Sequence, residues 1–206
     1  MQPFSVVFFL ASVCFASAFD KRIVRANGIF ASRTNVSVIS VNNGGLWGYW
    51  TWVDMCPEHS YAIGFSIKLE EYGGVGVDDT SLNGIRLFCS PEQTRNVMYT
   101  VESDTGDFGE WSKIRWCPQD GALNAFQLKV EPYQVVNDNT AANNIKFRCS
   151  NGVLMEEVGG LFGDYSEWSK PCPNGKICGI QTKQESYQGI MIDDTSLNDV
   201  RFFCCN

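Results

Sequence analysis

Three glutamates stand at matching places in the chain, and each is followed two residues later by a tyrosine. They are Glu70 with Tyr72, Glu131 with Tyr133, and Glu185 with Tyr187. Two carboxylates held about 5–9.5 Å apart can cleave or transfer a sugar, because one donates a proton while the other acts as base or nucleophile. If threefold symmetry brings the glutamates to one end of the fold, repulsion between them favours the protonated state that a general acid needs. The three glutamates are therefore the catalytic candidates, and solvated charges at strand ends are the alternative interpretation.

Aromatic side chains offer a second kind of chemistry, because their rings stack on the apolar faces of sugars and tryptophan and tyrosine also carry a polar edge. The glycan-binding candidates are the tryptophans that lie near glycine or acidic residues and the tyrosines of the three Glu-x-Tyr pairs: Trp47, Trp111, Trp168, Tyr72, Tyr133 and Tyr187. Packing into the core is the alternative for any one of them, since a small disulfide-rich fold needs bulky side chains inside.

Two aspartate pairs, Asp78-Asp79 and Asp193-Asp194, belong to the nearly identical phrases VDDTSLNGIRLFC and IDDTSLNDVRFFC. Neighbouring residues of a strand point to opposite faces, so the two members of one pair are poor catalytic partners. Aspartate and threonine side chains commonly bind backbone amides in turns. A third copy at residues 138–143 reads DNTAAN and has lost an aspartate and the serine. The phrase therefore predicts a turn.

The same order of features surrounds each copy, which indicates three internal repeats over about residues 36–91, 92–151 and 152–206. Each repeat has an aromatic, glycine-rich opening that leads to Cys-Pro, an alternating segment, the Asp-x-Thr turn and a closing strand that ends in cysteine. Period-two alternation of apolar residues, as in Ala62–Glu70, is typical of half-buried strands. Further strands are predicted at Val36–Val41, Asn96–Val101 and Val153–Val158, and no segment has convincing helical periodicity.

These segments predict an all-β domain of about nine to twelve strands. One repeat of roughly 55 residues cannot bury a sheet face alone, but three can if they pack around a shared axis. Two architectures fit, a prism of three sheets and a β-trefoil. A ricin-like trefoil is expected to carry a Gln-x-Trp motif in each repeat, and this chain has none.

The N-terminus and the charge indicate the compartment and the class of partner. Residues 1–18 hold an apolar run that ends in Ala16-Ser17-Ala18, which is typical of a secretory signal peptide. Residues 19–35 are then a lead-in and residues 36–206 a single domain with no membrane span, and Asn35 begins an N-glycosylation sequon. The net charge of −7, without a basic tract, argues against nucleic acid and anionic membranes. Glycans, glycoproteins or basic secreted proteins are the expected partners.

Eight cysteines remain after the predicted signal peptide, and an even number in a secreted chain favours four disulfides. They are Cys56, Cys89, Cys117, Cys149, Cys172, Cys178, Cys204 and Cys205. Equivalent spacing pairs Cys56 with Cys89 and Cys117 with Cys149. For the last four, repeat equivalence favours Cys172–Cys204, whereas strand alternation favours Cys178–Cys204 with Cys172–Cys205, and both pairings stay open. Because His59 is the only histidine and no matched CxxC pairs occur, we expect no metal site, and the absence of cofactor motifs predicts no cofactor.

The WGxW-like openings, the Cys-Pro pairs and the DDTSLNxxRxxC closings resemble the vitelline membrane outer layer protein 1 family from about Val36 to Asn206. The resemblance implies a β-prism of three Greek-key sheets with pseudo-threefold symmetry, four disulfides and secretion. It also implies membership of the outer layer of the egg's vitelline membrane and a transferase-like activity on N-acetylglucosamine oligosaccharides, with no catalytic residue set to carry over. The DNTAAN copy departs from the pattern and puts in doubt any function that needs all three acidic pairs.

The expected function is that of a secreted structural or binding protein of an extracellular coat, such as an egg vitelline envelope, in contact with glycans or glycoproteins. The alternative is an enzyme that transfers N-acetylglucosamine units, and catalysis is the less favoured of the two. A third interpretation is an acidic surface that holds basic secreted proteins.

Overall fold

The computed structural model describes residues 23–25, 36–74, 80–91, 98–133, 140–173, 175–186 and 195–206. The strands in these ranges are β1 (Ile23–Arg25), β2 (Ser37–Ile39), β3 (Tyr49–Trp50), β4 (Asp54–Met55), β5 (Ser60–Leu69), β6 (Leu82–Pro91), β7 (Met98–Glu102), β8 (Glu110–Trp111), β9 (Arg115–Trp116), β10 (Leu123–Val130), β11 (Ala142–Cys149), β12 (Leu154–Glu156), β13 (Asp164–Tyr165), β14 (Ile177–Gln184) and β15 (Leu197–Cys204). No helix in the described ranges is long and apolar enough to cross a membrane. The predicted signal peptide, Asn35 and most of the lead-in lie outside these ranges.

The all-β prediction is confirmed, with more strands than the nine to twelve expected. The additional ones are mainly two-residue strands in the aromatic openings, which are too short to produce an alternating pattern. The three predicted opening strands are present as β2, β7 and β12; β2 and β12 are shorter than predicted, and residues 96–97 of the second prediction lie outside the described ranges.

The strands form three curled sheets, which together make the expected β-prism. In order, the first sheet is β1-β7-β6-β5-β8 with β9 also on β5, the second is β12-β11-β10-β13, and the third is β2-β15-β14-β3 with β4 also on β14. At the centre of each sheet lies a long antiparallel hairpin, β5–β6, β10–β11 or β14–β15.

Each sheet combines strands from two successive repeats. The first sheet has its hairpin from the first repeat, whereas β7, β8 and β9 come from the second. The third sheet closes the ring, because its hairpin from the last repeat is flanked by β2, β3 and β4 from the first. Backbone hydrogen bonds therefore join every repeat to the next, and no repeat forms a sheet by itself.

The inward faces of the three hairpins meet in one core that is rich in phenylalanine. Phe65, Phe126, Phe147 and Phe202 are fully buried, and their ring centroids lie 4.7 to 5.2 Å apart in the contacting pairs Phe65–Phe147, Phe126–Phe202 and Phe147–Phe202. Pairs at such distances add about 0.5–1.5 kcal/mol to the burial of their area. None of the six tryptophans belongs to the fully buried set, and Trp116 only packs against its edge. Trp47, Trp50 and Trp52 are exposed, and the other three tryptophans are partly buried.

Three disulfides occupy equivalent places, one beside each hairpin: Cys56–Cys89, Cys117–Cys149 and Cys172–Cys204. The fourth joins Cys178 to Cys205. The structure therefore has the pairing that repeat equivalence favours, and the pairing from strand alternation, Cys178–Cys204 with Cys172–Cys205, does not form. The reason is a β-bulge between Ile177 and Gly179, which interrupts the alternation at Cys178.

Candidate functional site

The three glutamates lie at equivalent positions, directly after the first strand of each central hairpin. In each case the carboxylate Oε2 accepts hydrogen bonds from the backbone N–H and the hydroxyl of the threonine in the Asp-x-Thr phrase. The pairs are Glu70 with Thr80 (3.0 and 2.6 Å), Glu131 with Thr140 (3.3 and 2.8 Å) and Glu185 with Thr195 (3.2 Å for the N–H). One oxygen of each candidate carboxylate is therefore used to close the turn of its own repeat.

Behind each threonine lies an asparagine with no exposed surface, Asn83, Asn143 or Asn198. The asparagine Nδ2 donates to the threonine Oγ1 at 2.6 Å and to a turn carbonyl at 3.2 Å in all three repeats. Its backbone carbonyl accepts an N–H from a glycine of the following repeat in cyclic order, Gly106, Gly160 or Gly45 respectively. The three turns thus gather at one end of the prism, around the pseudo-threefold axis.

The residue after the threonine links one repeat to the next. Ser81 donates its hydroxyl to Asn143 Oδ1 at 3.0 Å, and Ser196 donates to Asn83 Oδ1 at 2.8 Å. The third equivalent residue is Ala141, which has no hydroxyl to donate to Asn198. All three adopt left-handed backbone, with φ of 55°, 50° and 43° for Ser81, Ser196 and Ala141. The DNTAAN copy therefore keeps the turn and lacks one hydrogen bond between repeats.

The opening segments form three glycine loops, residues 43–48, 104–109 and 158–163, that lie against these turns. A lysine from the preceding repeat in cyclic order fixes each loop by donating to two successive backbone carbonyls, at 2.7–3.1 Å. The lysines are Lys183 (to Gly45 and Leu46), Lys68 (to Gly106 and Asp107) and Lys129 (to Gly160 and Leu161). The approach requires glycine, since a Cβ at Gly160 would lie 2.0 Å from Ser81 Oγ.

Three equivalent grooves lie between the glutamates and the glycine loops. Groove 1 runs between Glu70–Tyr72 and residues 158–162, and groove 2 between Glu131–Tyr133 and residues 43–47. Groove 3 runs between Gln184–Ser186 and residues 104–108. Their cavity volumes are about 240, 190 and 150 Å³, smaller than the roughly 300–1,000 Å³ of enclosed small-ligand pockets, so they are shallow surface grooves. Each groove takes residues from all three repeats, because the next threonine, Thr140, Thr195 or Thr80, completes the wall.

Exposed aromatic pairs line the first two grooves. In groove 1 Tyr72 meets Phe162 edge to face, with ring centroids 5.5 Å apart. In groove 2 Trp47 meets Tyr133 in the same way at 5.9 Å. These four side chains are between 38% and 55% exposed, so ring area remains open to a ligand. The structure thus brings Trp47 together with Tyr133 and Tyr72 together with Phe162, which is not among the aromatic candidates predicted from sequence.

The other predicted aromatic residues lie elsewhere or outside the described residues. Trp111 does not line the grooves and lies beneath the Arg86 guanidinium, 3.9 Å from its ring centroid. Trp168 is half-buried, with the Arg148 guanidinium 5.2 Å from its ring. Tyr187 and both aspartate pairs lie outside the described residues. An aligned Gly-x-aromatic-Gly pattern, in which Phe162 matches Trp47, is the signal that selects Phe162.

Lysines and carboxylates both lie at this end of the prism, and one of the carboxylates, Asp199, is largely buried. Asp199 packs beneath Gly44, where a Cβ would lie 2.4 Å from its Oδ2. Burial raises the pKa of Asp199 to about 6, and the Val200 N–H, Lys183 and Arg201 oppose that rise. No group of three or more metal-ligating side chains occurs among the described residues.

In grooves 1 and 2 the arrangement fits the binding of a neutral polar ligand better than two-carboxylate catalysis, whereas groove 3 combines Glu185 with Asp104 and Asp107. The three glutamates lie one to a groove, so no groove contains two of them. Glu131 is the one acid among the described residues that line groove 2. In groove 1 the second acid, Glu71, is the chain neighbour of Glu70. A single carboxylate oriented by threonine, beside aromatic edges and backbone amides, can accept hydrogen bonds from ligand hydroxyls.

Comparisons with known proteins find relatives over most of the chain. Residues 37–206 match the family model described as Vitelline membrane outer layer protein I (VOMI). A vitelline membrane outer layer protein 1 homolog from Mus musculus is 50% identical over 169 residues, which cover 82% of this chain and 83% of the relative. The homolog from Homo sapiens is 45% identical over 188 residues, 89% of this chain and 92% of the relative.

Among solved structures, plant lectins have the same fold at low sequence identity. Frutapin, a lectin from Artocarpus incisa, has a TM-score of 0.55 at 12% identity and covers 84% of this chain and 99% of its own. The artocarpin–mannotriose complex has a TM-score of 0.52 at 12% identity and covers 82% and 97%. At this identity the likeness establishes the β-prism architecture alone.

Proposed function

The chain belongs to the vitelline membrane outer layer protein I family, and from that premise we propose that it is a secreted structural and binding protein of an extracellular coat, such as an egg vitelline envelope. Its partners are glycan chains or glycoproteins. The observation that carries the proposal is the pair of aromatic-walled grooves at one end of the prism, groove 1 with Tyr72 and Phe162 and groove 2 with Trp47 and Tyr133.

The chemistry of these grooves suits a sugar. The open ring faces and edges supply apolar area for the C–H face of a pyranose. Glu70 and Glu131 supply carboxylate acceptors for hydroxyl groups, and Thr140 and Thr195 line the opposite walls. Four disulfides and the lysine-fixed glycine loops hold these walls in place, which reduces the ordering entropy that binding costs. A disulfide-stapled fold also suits an oxidising extracellular compartment.

The rival functions are less well supported by the grooves. A transferase acting on N-acetylglucosamine oligosaccharides needs two carboxylates at a workable distance. Among the described residues, the aromatic-walled grooves 1 and 2 do not supply such a pair, and only groove 3 combines its glutamate with acids from another repeat. A partner of basic secreted proteins needs acidic surface, which groove 3 offers through Asp104, Asp107 and Glu185. Aromatic walls add nothing to that electrostatic contact.

A glycan array tests the proposal, with the wild-type protein and two single variants, Tyr72→Ala and Tyr133→Ala. We expect saturable binding that changes little between low and high salt, because the ligand carries no charge and forms no ion pair with the protein. Each groove variant should lower the bound signal at least about twofold. Tyr49→Ala is the matched control, since Tyr49 is 87% exposed and does not line the grooves, and it should bind like wild type.

Three results would count against the proposal. They are the absence of binding to any glycan, an equal loss in the Tyr49→Ala control, and binding that collapses as salt rises, which would indicate electrostatic association. Incubation with chito-oligosaccharides tests the enzyme alternative directly. Longer products that vanish in Glu70→Gln, Glu131→Gln or Glu185→Gln would favour a transferase.

A further inference from the structure

Grooves 1 and 2 share their chemistry, and groove 3 differs from both. The tips of the glycine loops carry Leu161 in groove 1 and Leu46 in groove 2, which are 69% and 74% exposed. The equivalent residue in groove 3 is Asp107. Asp104 likewise occupies the place of Val158 and Asn43. Grooves 1 and 2 thus carry an exposed leucine at the lip, whereas groove 3, whose wall also includes Phe108, has an acidic lip.

The two similar grooves are separate sites. No described residue lines both of them, and the segment that holds Thr140 and Ala141 forms the partition. Thr140 faces groove 1 while Ala141 faces groove 2. The Glu131–Thr140 hydrogen bonds brace this partition at 2.8 and 3.3 Å. Because pseudo-threefold rotation relates the grooves, they open in different directions from the axis.

Both grooves are also rigid in the same way. Lys129 fixes the far wall of groove 1 through the Gly160 and Leu161 carbonyls, and Lys183 fixes that of groove 2 through the Gly45 and Leu46 carbonyls. Preformed walls allow each groove to bind without help from the other. Two equal and independent sites on one rigid body produce cross-linking when the ligand is part of a larger polymer.

From this we infer that one chain binds two neutral oligosaccharides at once, one in groove 1 and one in groove 2, and so cross-links glycan chains of the coat. The inference rests on the proposed glycan binding and adds its valency and its location. Groove 3 takes no part, because Asp104 and Asp107 replace the apolar lip with charges that must stay hydrated.

Calorimetric titration with two short neutral probes, chitotriose and mannotriose, measures the valency. For the probe that binds, wild type should have a stoichiometry of two. Tyr72→Ala and Tyr133→Ala should each reduce it to one, and the double variant should remove binding. Phe108→Ala, an aromatic truncation in groove 3 at the position equivalent to Trp47 and Phe162, should leave it at two. Circular dichroism confirms that each variant is folded.

Clustering of beads coated with the same trisaccharide measures cross-linking. Wild type should cluster the beads, whereas each single variant should coat them and cluster them at least about tenfold less. A wild-type stoichiometry of one, or loss of all binding in a single folded variant, would overturn the two-site inference and leave the proposed function standing. A stoichiometry of three would refute the exclusion of groove 3. Failure of both probes to bind would count against glycan binding and the inference alike.

Discussion

Replacing Asp199 with asparagine is expected to stabilise the protein at neutral pH and to have little effect in acid. In the folded protein burial raises the pKa of Asp199 to about 6, whereas an aspartate in an unfolded chain has a pKa of about 4. The folded state therefore favours the protonated carboxyl. Below about pH 4 the Asp199 carboxyl is protonated in both the folded and the unfolded state, so it does not lower the free energy of unfolding. As pH rises from about 4 to about 6, the unfolded state loses its proton first, so stability falls and the full loss persists above about pH 6.

The size of this loss follows from the gap between the two pKa values. A gap of about 2 corresponds to about 3 kcal/mol, and residual contact of the carboxyl with solvent lowers the expected value to about 1–3 kcal/mol. The variant Asp199→Asn removes the titration and keeps the shape. Asn144 demonstrates that asparagine fits, because it holds the equivalent place and its Oδ1 accepts the Ile145 N–H at 2.8 Å, as Asp199 Oδ1 accepts the Val200 N–H.

Urea unfolding with the disulfides intact, at pH 4 and at pH 7.5, is the assay. We expect Asp199→Asn to raise the free energy of unfolding by about 1–3 kcal/mol at pH 7.5 and by much less at pH 4. The reciprocal control, Asn144→Asp, introduces a carboxylate beneath Gly159 and should destabilise the protein at pH 7.5, with partial recovery in acid. A gain for Asp199→Asn that is equal at both pH values, or a loss at pH 7.5, would refute the argument that ionisation beneath Gly44 is costly.

Two further predictions concern the hydrogen bonds between repeats. Ala141→Ser should raise the free energy of unfolding, measured in urea, by about 0.5–1.5 kcal/mol, because the new hydroxyl can donate to Asn198 Oδ1. Serine already adopts the same left-handed backbone at Ser81 and makes the equivalent hydrogen bond. An unchanged or lower free energy of unfolding would contradict this prediction. Gly160→Ala should lower that free energy by about 3 kcal/mol, since the new Cβ would lie 2.0 Å from Ser81 Oγ. Gly152→Ala is the control, because no atom lies within 4 Å of its added Cβ. It should cost only the strain of an alanine at φ +88°, about 1–2 kcal/mol. Equal losses of unfolding free energy in the two variants would argue against the steric explanation.

Much of the fold could be predicted from the repeats, because strand periodicity and turn chemistry are local. The alternation in Ala62–Glu70 predicts β5, and equal cysteine spacing predicts Cys56–Cys89 and Cys117–Cys149. The pairing of Cys178 could not be predicted in the same way. It depends on a bulge, and a bulge changes the face of a residue without changing its neighbours in sequence.

Only part of the candidate site could be predicted from the sequence. Trp47, Tyr72 and Tyr133 were candidates because of their residue type and neighbours, and all three line grooves 1 and 2. Trp111 was selected on the same grounds and lies under a guanidinium instead. The residue type determines which ligands an aromatic ring can bind, whereas the side chain that packs on the ring from a neighbouring strand determines whether a face of the ring stays exposed.

The sequence by itself determined a threefold repeat, its strands and turns, and the family to which the chain belongs, because these depend on spacing along one chain. Only the tertiary structure decided that sheets form between repeats and that each groove takes walls from all three. It also gave Glu70, Glu131 and Glu185 separate grooves and a turn-closing role. These features arise from contacts across the pseudo-threefold axis, where residues about 60 or more positions apart become neighbours. Local sequence patterns do not reveal which of these distant residues will meet.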